Sequence, residues 1–281
     1  MNETINCQDF NNAVQKMREF FLSKKFVEVH PQSKLSILAA CEDPTTMSQF
    51  SYAGSVYPLP QTGQMWLEHY LLDNPDIPGF FCVSTSYRNE PNPIEGRHDL
   101  IFPMFEFETH GNMNDMIKLE RELLQYLGFK VDIYQDNIYP EGDYNDIAVK
   151  YNVDILEHEH ETQMNTDFGE IFFLKNFPER TSPFWNMNRN KENTHAKKVD
   201  VIMHGIETIG SAERSCDKDM MRRRFNEISN GEYANTLFSH FTKDRVLKEM
   251  DEFLSKDFFP RFGGGIGMTR MIRAMKLSNL L

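Results

Sequence analysis

Three clusters of residues in this 281-residue chain have the types and spacing to hold a charged ligand. The first is Tyr87-Arg88-Asn89-Glu90, followed, after a stretch with two prolines and a glycine, by Arg97-His98-Asp99. Guanidinium forks hold phosphate through two parallel N–H bonds. A hairpin bringing Arg88, Arg97 and His98 to one side would therefore suit an anion. Farther on, Phe102, Met104, Glu106 and Glu108 alternate with Phe105 and Phe107, so the two sets fall on opposite faces of a strand. An aromatic ring on the anion side could stack on a nucleobase. The second cluster is Asp200 and Glu207, at the ends of the strand-like run VDVIMHGIE, with Arg214 seven residues later. Two acids that converge could hold Mg²⁺ between phosphate oxygens. The third is Gly263-Gly264-Gly265-Ile266-Gly267-Met268-Thr269-Arg270. Glycines let a backbone approach a ligand closely, and Arg270 falls on the first turn of a following helix. No Gly-Lys-Ser/Thr follows, and the spacing does not fit a dinucleotide fingerprint. Taken singly, each cluster is equally an ordinary feature: a solvated hairpin, a strand with acidic ends, a glycine-rich turn.

The elements that must position these residues follow from periodicity. Residues 10–26 carry apolar side chains at helical spacing and run into a short strand ending at His30-Pro31. A polar loop over 41–55 precedes a strand at 56–59 and a helix over 64–72. Residues 80–88 are β-rich, 89–99 form a loop, and 102–109 return antiparallel. A helix over 112–128 is ended by glycine. Strands are expected at 168–174 and 199–203, helices at 220–228 and 243–254, and a glycine-led helix through 274. Strands joined by long loops with helices interspersed give an α+β fold with a largely antiparallel sheet. No domain boundary is evident after residue 10.

Composition narrows the class. There are 30 Lys+Arg against 42 Asp+Glu, a net charge of −12, with 40% hydrophobic residues. That balance folds, and it argues against a broad nucleic-acid surface. No run approaches the ~20 apolar residues of a membrane helix, and no basic region followed by an apolar stretch opens the chain. The four cysteines, Cys7, Cys41, Cys82 and Cys216, lack C-x-x-C spacing, as expected for reduced thiols in a cytoplasmic protein. The tract Glu157-His158-Glu159-His160-Glu161 resembles a metal-binding run but reads better as a solvated loop or helix face. The basic cluster MMRRRF at 220–225 reads as helix surface.

The order of the clusters (arginine hairpin, acid pair, glycine–arginine turn) resembles the class II aminoacyl-tRNA synthetase catalytic core, in its aspartate/asparagine/lysine subgroup, over nearly the whole chain. YRNE…RHDLIF…FE resembles that class's motif 2, GGGIGMTR its motif 3, and FFLSKKFVEVHP the helix–strand–proline of the dimer-forming motif 1. LPQTGQMWLE, FPERTSPFWNM and DVIMHGIETIGSAER resemble further segments of the aspartyl and asparaginyl enzymes. The resemblance implies that Arg88 contacts the α-phosphate of ATP, Glu90 the adenine amino group, and Phe102 the ring. Arg97 and His98 would reach the outer phosphates, and Gly267 and Arg270 would lie on the other side of the nucleotide. Asp200 and Glu207 would hold Mg²⁺; Gln64, Glu68 and Arg214 would meet aspartate or asparagine. Leu67 stands where aspartyl enzymes place a lysine, so the asparaginyl branch is nearest. The resemblance also implies a homodimer. An anticodon-binding barrel ordinarily precedes motif 1, yet motif 1 begins near residue 10 here. The expectation is therefore a catalytic domain over 10–281 without that barrel. Stand-alone relatives of this kind make asparagine from aspartate and ammonia; tRNA charging and non-catalytic ligand binding are the alternatives.

Overall fold

The computed structural model describes residues 4–32, 34–38, 46–130 and 139–281. Its centre is an eight-stranded sheet in the order β1-β4-β5-β10-β9-β8-β7-β6. The strands are β1 (Val27–Glu28), β4 (Gly79–Tyr87), β5 (Ile101–His110), β6 (Glu141–Asp143), β7 (Ile171–Pro178), β8 (His195–Met203), β9 (Ile206–Glu213) and β10 (Arg261–Gly267). Only the outermost pairs, β1 with β4 and β6 with β7, are parallel. A separate hairpin joins β2 (Ser48–Tyr52) to β3 (Ser55–Leu59). This is the α+β, antiparallel-dominated architecture that the sequence implied.

Side-chain alternation decides what each face of the sheet does. Phe105 and Phe107 of β5 point with Phe81, Val199, Val201, Ile209 and Ile266 into the main core. Three helices cover that face: α1 (Cys7–Ser23), α3 (Met113–Leu127) and α9 (Met268–Leu277). Both long N-terminal helices are capped as their sequences demand. Asn6 accepts from the Gln8 and Asp9 amides, and Asn112 with Asp115 forms a reciprocal capping box. Gly128 ends α3 at φ 101°, a left-handed conformation that glycine adopts without strain.

Smaller cores lie on the other side of the sheet. One gathers α2 (Gln64–Asp73) with Phe80 and Cys82. A second gathers α4 (Tyr144–Tyr151) and α5 (His158–Phe168) with Phe172 and Leu174. A third joins α6 (Lys218–Glu227), α7 (Glu232–Phe241) and α8 (Lys243–Leu254) around buried Trp185.

Two sequence expectations are corrected. The run 263–267 is strand β10, not a turn. It is completely buried between β5 and β9, and the helix starts only at Met268. VDVIMHGIE is not one strand. His204 and Gly205 turn it back on itself, both at positive φ, so Asp200 and Glu207 sit on adjacent antiparallel strands. The tract Glu157–Glu161, expected as a solvated loop or helix face, falls on a helix, although Glu161 turns inward to Arg97. It opens α5, and among the described residues no group of three His, Cys, Asp or Glu could hold a metal. The strands β2, β6 and β9 and the helices α4 and α7 lacked readable periodicity. Of the polar loop expected over 41–55, residues 41–45, Cys41 among them, lie outside the described residues, and 48–52 form strand β2 instead; Cys7, Cys82 and Cys216 are free thiols.

Candidate active site

β4 and β5 form the arginine hairpin. The Arg88 amide donates to Leu100 O at 2.8 Å, and Ile94 O accepts from both Arg97 and His98, closing the turn. Register brings Tyr87 opposite Ile101, so Phe102 lies beside the exit of β4. The Arg88 guanidinium stands 5.7 Å from the Phe102 ring centroid, and His98 Nδ1 is 2.6 Å from Glu90 Oε2.

Motif 3 meets this hairpin from the other side. Arg270 donates to Glu207 O at 2.7 Å and to Arg97 O at 3.1 Å. Arg88, Glu90, Arg97, His98, Phe102, Glu207, Gly267 and Arg270 consequently line one small cleft. Members of all three clusters identified from sequence meet here, although Asp200 lines neither this cleft nor the cavity beside it.

Asp200 and Glu207 converge over Gly210. A Cβ placed on Gly210 would lie 2.8 Å from Glu207 Oε1 and 3.6 Å from Asp200 Oδ1, so both carboxylates border one point. Two hard oxygen donors beside a phosphate-sized cleft suit Mg²⁺, which keeps waters and phosphate oxygens as its remaining ligands. Lys198 Nζ lies 3.3 Å from Asp200 Oδ2. Burial would raise the Glu207 carboxyl, but Lys198, Arg270, Arg88 and His98 together hold it below the usual carboxylate range. It is therefore ionised and ready for a cation.

The cleft opens into a cavity of about 500 Å³ lined by Gln64, Met65, Arg88, Phe184, Asn186 and Arg214 among others. At its end Arg214 donates from Nη2 to Gln64 Oε1 at 2.7 Å and from Nε to Glu108 Oε1 at 3.1 Å. Glu68 is placed differently. It is 1% exposed and stands behind this wall, paired with equally buried Arg261 and accepting from Asn186 Nδ2 at 2.8 Å. Its carboxylate supports Asn186, which itself faces the cavity.

Two acids on β5 were not singled out as site residues, although their alternation was visible. Burial pushes the Glu108 carboxyl up to about 7, against the pull of Arg214. Glu106 accepts from the Gly63 amide at 2.8 Å, from Ser84 Oγ at 2.5 Å and from the Thr62 hydroxyl, which fixes the start of α2 and with it Gln64. β10 must be glycine-rich for this reason. A Cβ at Gly263 would fall 1.7 Å from Glu108 Oε2, and one at Gly265 would fall 2.8 Å from Gln64 Nε2. Lys198 and Asn186 were also missed as site residues; Asn186 lies in the segment FPERTSPFWNM, whose resemblance pointed to no single residue, and no spacing marks Lys198. The MMRRRF arginines are surface pairs, Arg222 with Asp251 and Arg224 with Glu179.

This combination of hairpin, acid pair and glycine strand on an antiparallel sheet belongs to one class of fold. The family model for class II tRNA synthetases (D, K and N) matches residues 2–279, and the chain belongs to that family. It is 24% identical over 239 residues to an aspartate–tRNA(Asp) ligase of Thermoplasma volcanium, covering 75% of this chain and 54% of the relative. It is 22% identical over 289 aligned positions to an asparagine–tRNA ligase of Pelotomaculum thermopropionicum, covering 91% of this chain and 62% of the relative. Asparaginyl-tRNA synthetase from Pyrococcus horikoshii, solved with asparaginyl-adenylate, superposes with a TM-score of 0.77 at 19% identity, over 95% of this chain and 64% of that one. The chain thus spans between half and two thirds of the length of these relatives.

Proposed function

We propose that this chain uses ATP to activate aspartate or asparagine as an adenylate, and that its product is asparagine, formed when ammonia attacks a β-aspartyl adenylate made on the side-chain carboxylate of aspartate. The observation that carries the reading is the meeting of Arg88 and Arg270 in one cleft continuous with the cavity that ends at Arg214. A substrate carboxylate beside Arg88 is already an anion, so the first step needs no general base. Its oxygen bonds to the α-phosphorus while the bond to pyrophosphate breaks. Arg88, Arg97 and Arg270 neutralise charge on the phosphate oxygens from fixed positions. Asp200 and Glu207 would hold Mg²⁺, which supplies further charge neutralisation there. Ammonia then attacks the β-acyl carbon of the aspartyl adenylate, AMP departs with the former side-chain carboxylate oxygen, and one proton is released. Gln64 and Arg214 would read the distal end of the amino acid, and Phe102 and Glu90 the adenine.

The net charge of −12 favours a small acceptor over a polyanion. The names of the relatives support the rival acceptor, tRNA. ATP–pyrophosphate exchange with each of the twenty amino acids tests activation; the expected result is exchange with aspartate or asparagine alone. Aspartate, ATP, Mg²⁺ and ammonium should then yield asparagine and AMP. Charging of total tRNA with labelled asparagine in place of that product would transfer the assignment to the tRNA ligase. Exchange with no amino acid would leave a ligand-binding paralogue.

A further inference from the structure

The acidic tract that opens α5 carries a residue that belongs to the phosphate end of the cleft. Glu161 Oε2 accepts from Arg97 Nη2 at 2.7 Å and from the Glu207 amide at 3.0 Å. Arg97 Nη1 also donates to Gly205 O at 3.2 Å. Arg270 joins Glu207 O to Arg97 O, closing a ring that runs Arg97, Glu161, Glu207, Arg270 and back to Arg97. The helix is pressed onto the turn carrying Glu207. Gly205 lies at φ +76°, and a Cβ there would come 3.1 Å from the Thr162 Cα. Glu161 itself lines neither part of the cleft.

We propose that Glu161 is a positioning residue for the triphosphate. One carboxylate sets both the Arg97 guanidinium and the main chain that presents the Glu207 carboxylate. The two groups then stand at a fixed separation before the nucleotide arrives. Charged and titratable groups around it are Arg97 from the motif 2 loop, Glu207 from β9 and Arg270 from α9. Burial and the Glu207 charge raise the Glu161 carboxyl, while the Glu207 amide, Arg97 and Arg270 draw it back. A charge-assisted hydrogen bond of this kind is worth enough to change ATP affinity about tenfold. The inference rests on the reading of this cleft as an ATP site.

The experiment compares Glu161→Ala and Glu161→Gln with the wild type and Arg97→Ala in pyrophosphate exchange, with ATP binding measured separately by calorimetry in Mg²⁺. Glu161→Ala should raise the KM and Kd for ATP about tenfold. It should also raise the Mg²⁺ concentration for half-maximal rate, while leaving the amino-acid KM and the melting temperature unchanged. Glu161→Gln, which keeps an acceptor without the charge, should fall between. Combined with Arg97→Ala, Glu161→Ala should add little to the loss in ATP affinity. Unchanged or tighter ATP binding in Glu161→Ala, full additivity in the double variant, or an equal rise in amino-acid KM would overturn the inference. Wild-type protein that binds ATP but shows no exchange would remove the proposed activity and leave this inference standing on the calorimetry. Wild-type protein that binds no ATP would remove both.

Discussion

Arg270 ties motif 3 to the other two clusters through main-chain carbonyls and a 3.8 Å ion pair with Glu207 Oε2, at the mouth of the cleft where a phosphate could reach its guanidinium. Nothing in the core depends on it; its side chain is 30% exposed at the mouth of the cleft. Arg270→Ala should therefore lower pyrophosphate exchange by two orders of magnitude or more, as loss of a preorganised transition-state donor does (~100-fold). Its melting temperature should match that of the wild type. Retained exchange would place the nucleotide elsewhere. Gly265 tests the opposite end of the site. A methyl there meets the ends of two flexible side chains, Met104 at 2.7 Å and Gln64 at 2.8 Å, so the fold can take it at the cost of displacing Gln64 from its bond to Arg214. Gly265→Ala should fold, and should raise the amino-acid KM more than the ATP KM. An unaltered amino-acid KM would show that Gln64 does not border the bound amino acid. Gly263→Ala is the contrasting case. Its methyl would enter the Glu108 carboxylate, which is locked by Arg214, and the loss should be one of stability.

At the scale of elements, α3 packs a carboxylate into the sheet. Glu120 is fully buried, and burial pushes its carboxyl up to about 8, with Ser211 and Arg121 pulling only weakly the other way. The folded protein keeps the proton up to that pH, whereas the unfolded chain releases it near the ordinary glutamate value of 4.5. Between those limits the native state binds more protons, so stability falls as pH rises, by up to ~1.4 kcal/mol per unit. Glu120→Gln removes the titration. It should raise the melting temperature at pH 8 and leave it nearly unchanged at pH 5; equal shifts at both would assign the effect to packing. This acid was invisible in the sequence, where it is one charge among several on an amphipathic helix. Legibility varied with how local the signal was. The hairpin of Arg88, the glycine that ends a helix at 128, and the alternation Phe105/Glu106/Phe107/Glu108 are set by neighbours in the chain and were readable. β10 was not. Glycines at 263 and 265 read as a turn because the side chains that demand their smallness, Glu108 and Gln64, lie more than 150 residues away. Asp200 and Glu207 were recognised as a pair for the wrong geometric reason: the His204-Gly205 turn, not a shared strand, brings them together. Glu161 was set aside because a charge run on a loop or helix face is usually solvated, and the packing of α5 against the Gly205 turn draws that one member inward.

For the whole molecule, the unbalanced feature is the outer side of motif 1. β1 is two residues long, both exposed, at one edge of the eight-stranded sheet. Beside it Leu22, Val27 and Tyr126 are exposed apolar side chains, at 53%, 41% and 48%. They belong to one surface. Arg18 pairs with Glu28, Lys24 with Glu122, and the Tyr126 hydroxyl donates to Glu19, linking α1, β1 and α3. An open sheet edge flanked by apolar groups invites pairing with a second chain, and two-fold association lets the same patch serve both copies. The net charge of −12 opposes association through mutual repulsion, so raised salt should strengthen it by screening. Sedimentation velocity should therefore find a dimer that tightens from low to moderate ionic strength. The double variant Leu22→Glu/Val27→Glu should sediment as a monomer with an unchanged circular dichroism spectrum, since neither side chain contributes to a buried core. A wild-type protein that stays monomeric at micromolar concentration, or a double variant that remains dimeric, would place the dimer contact somewhere other than motif 1 or remove it altogether.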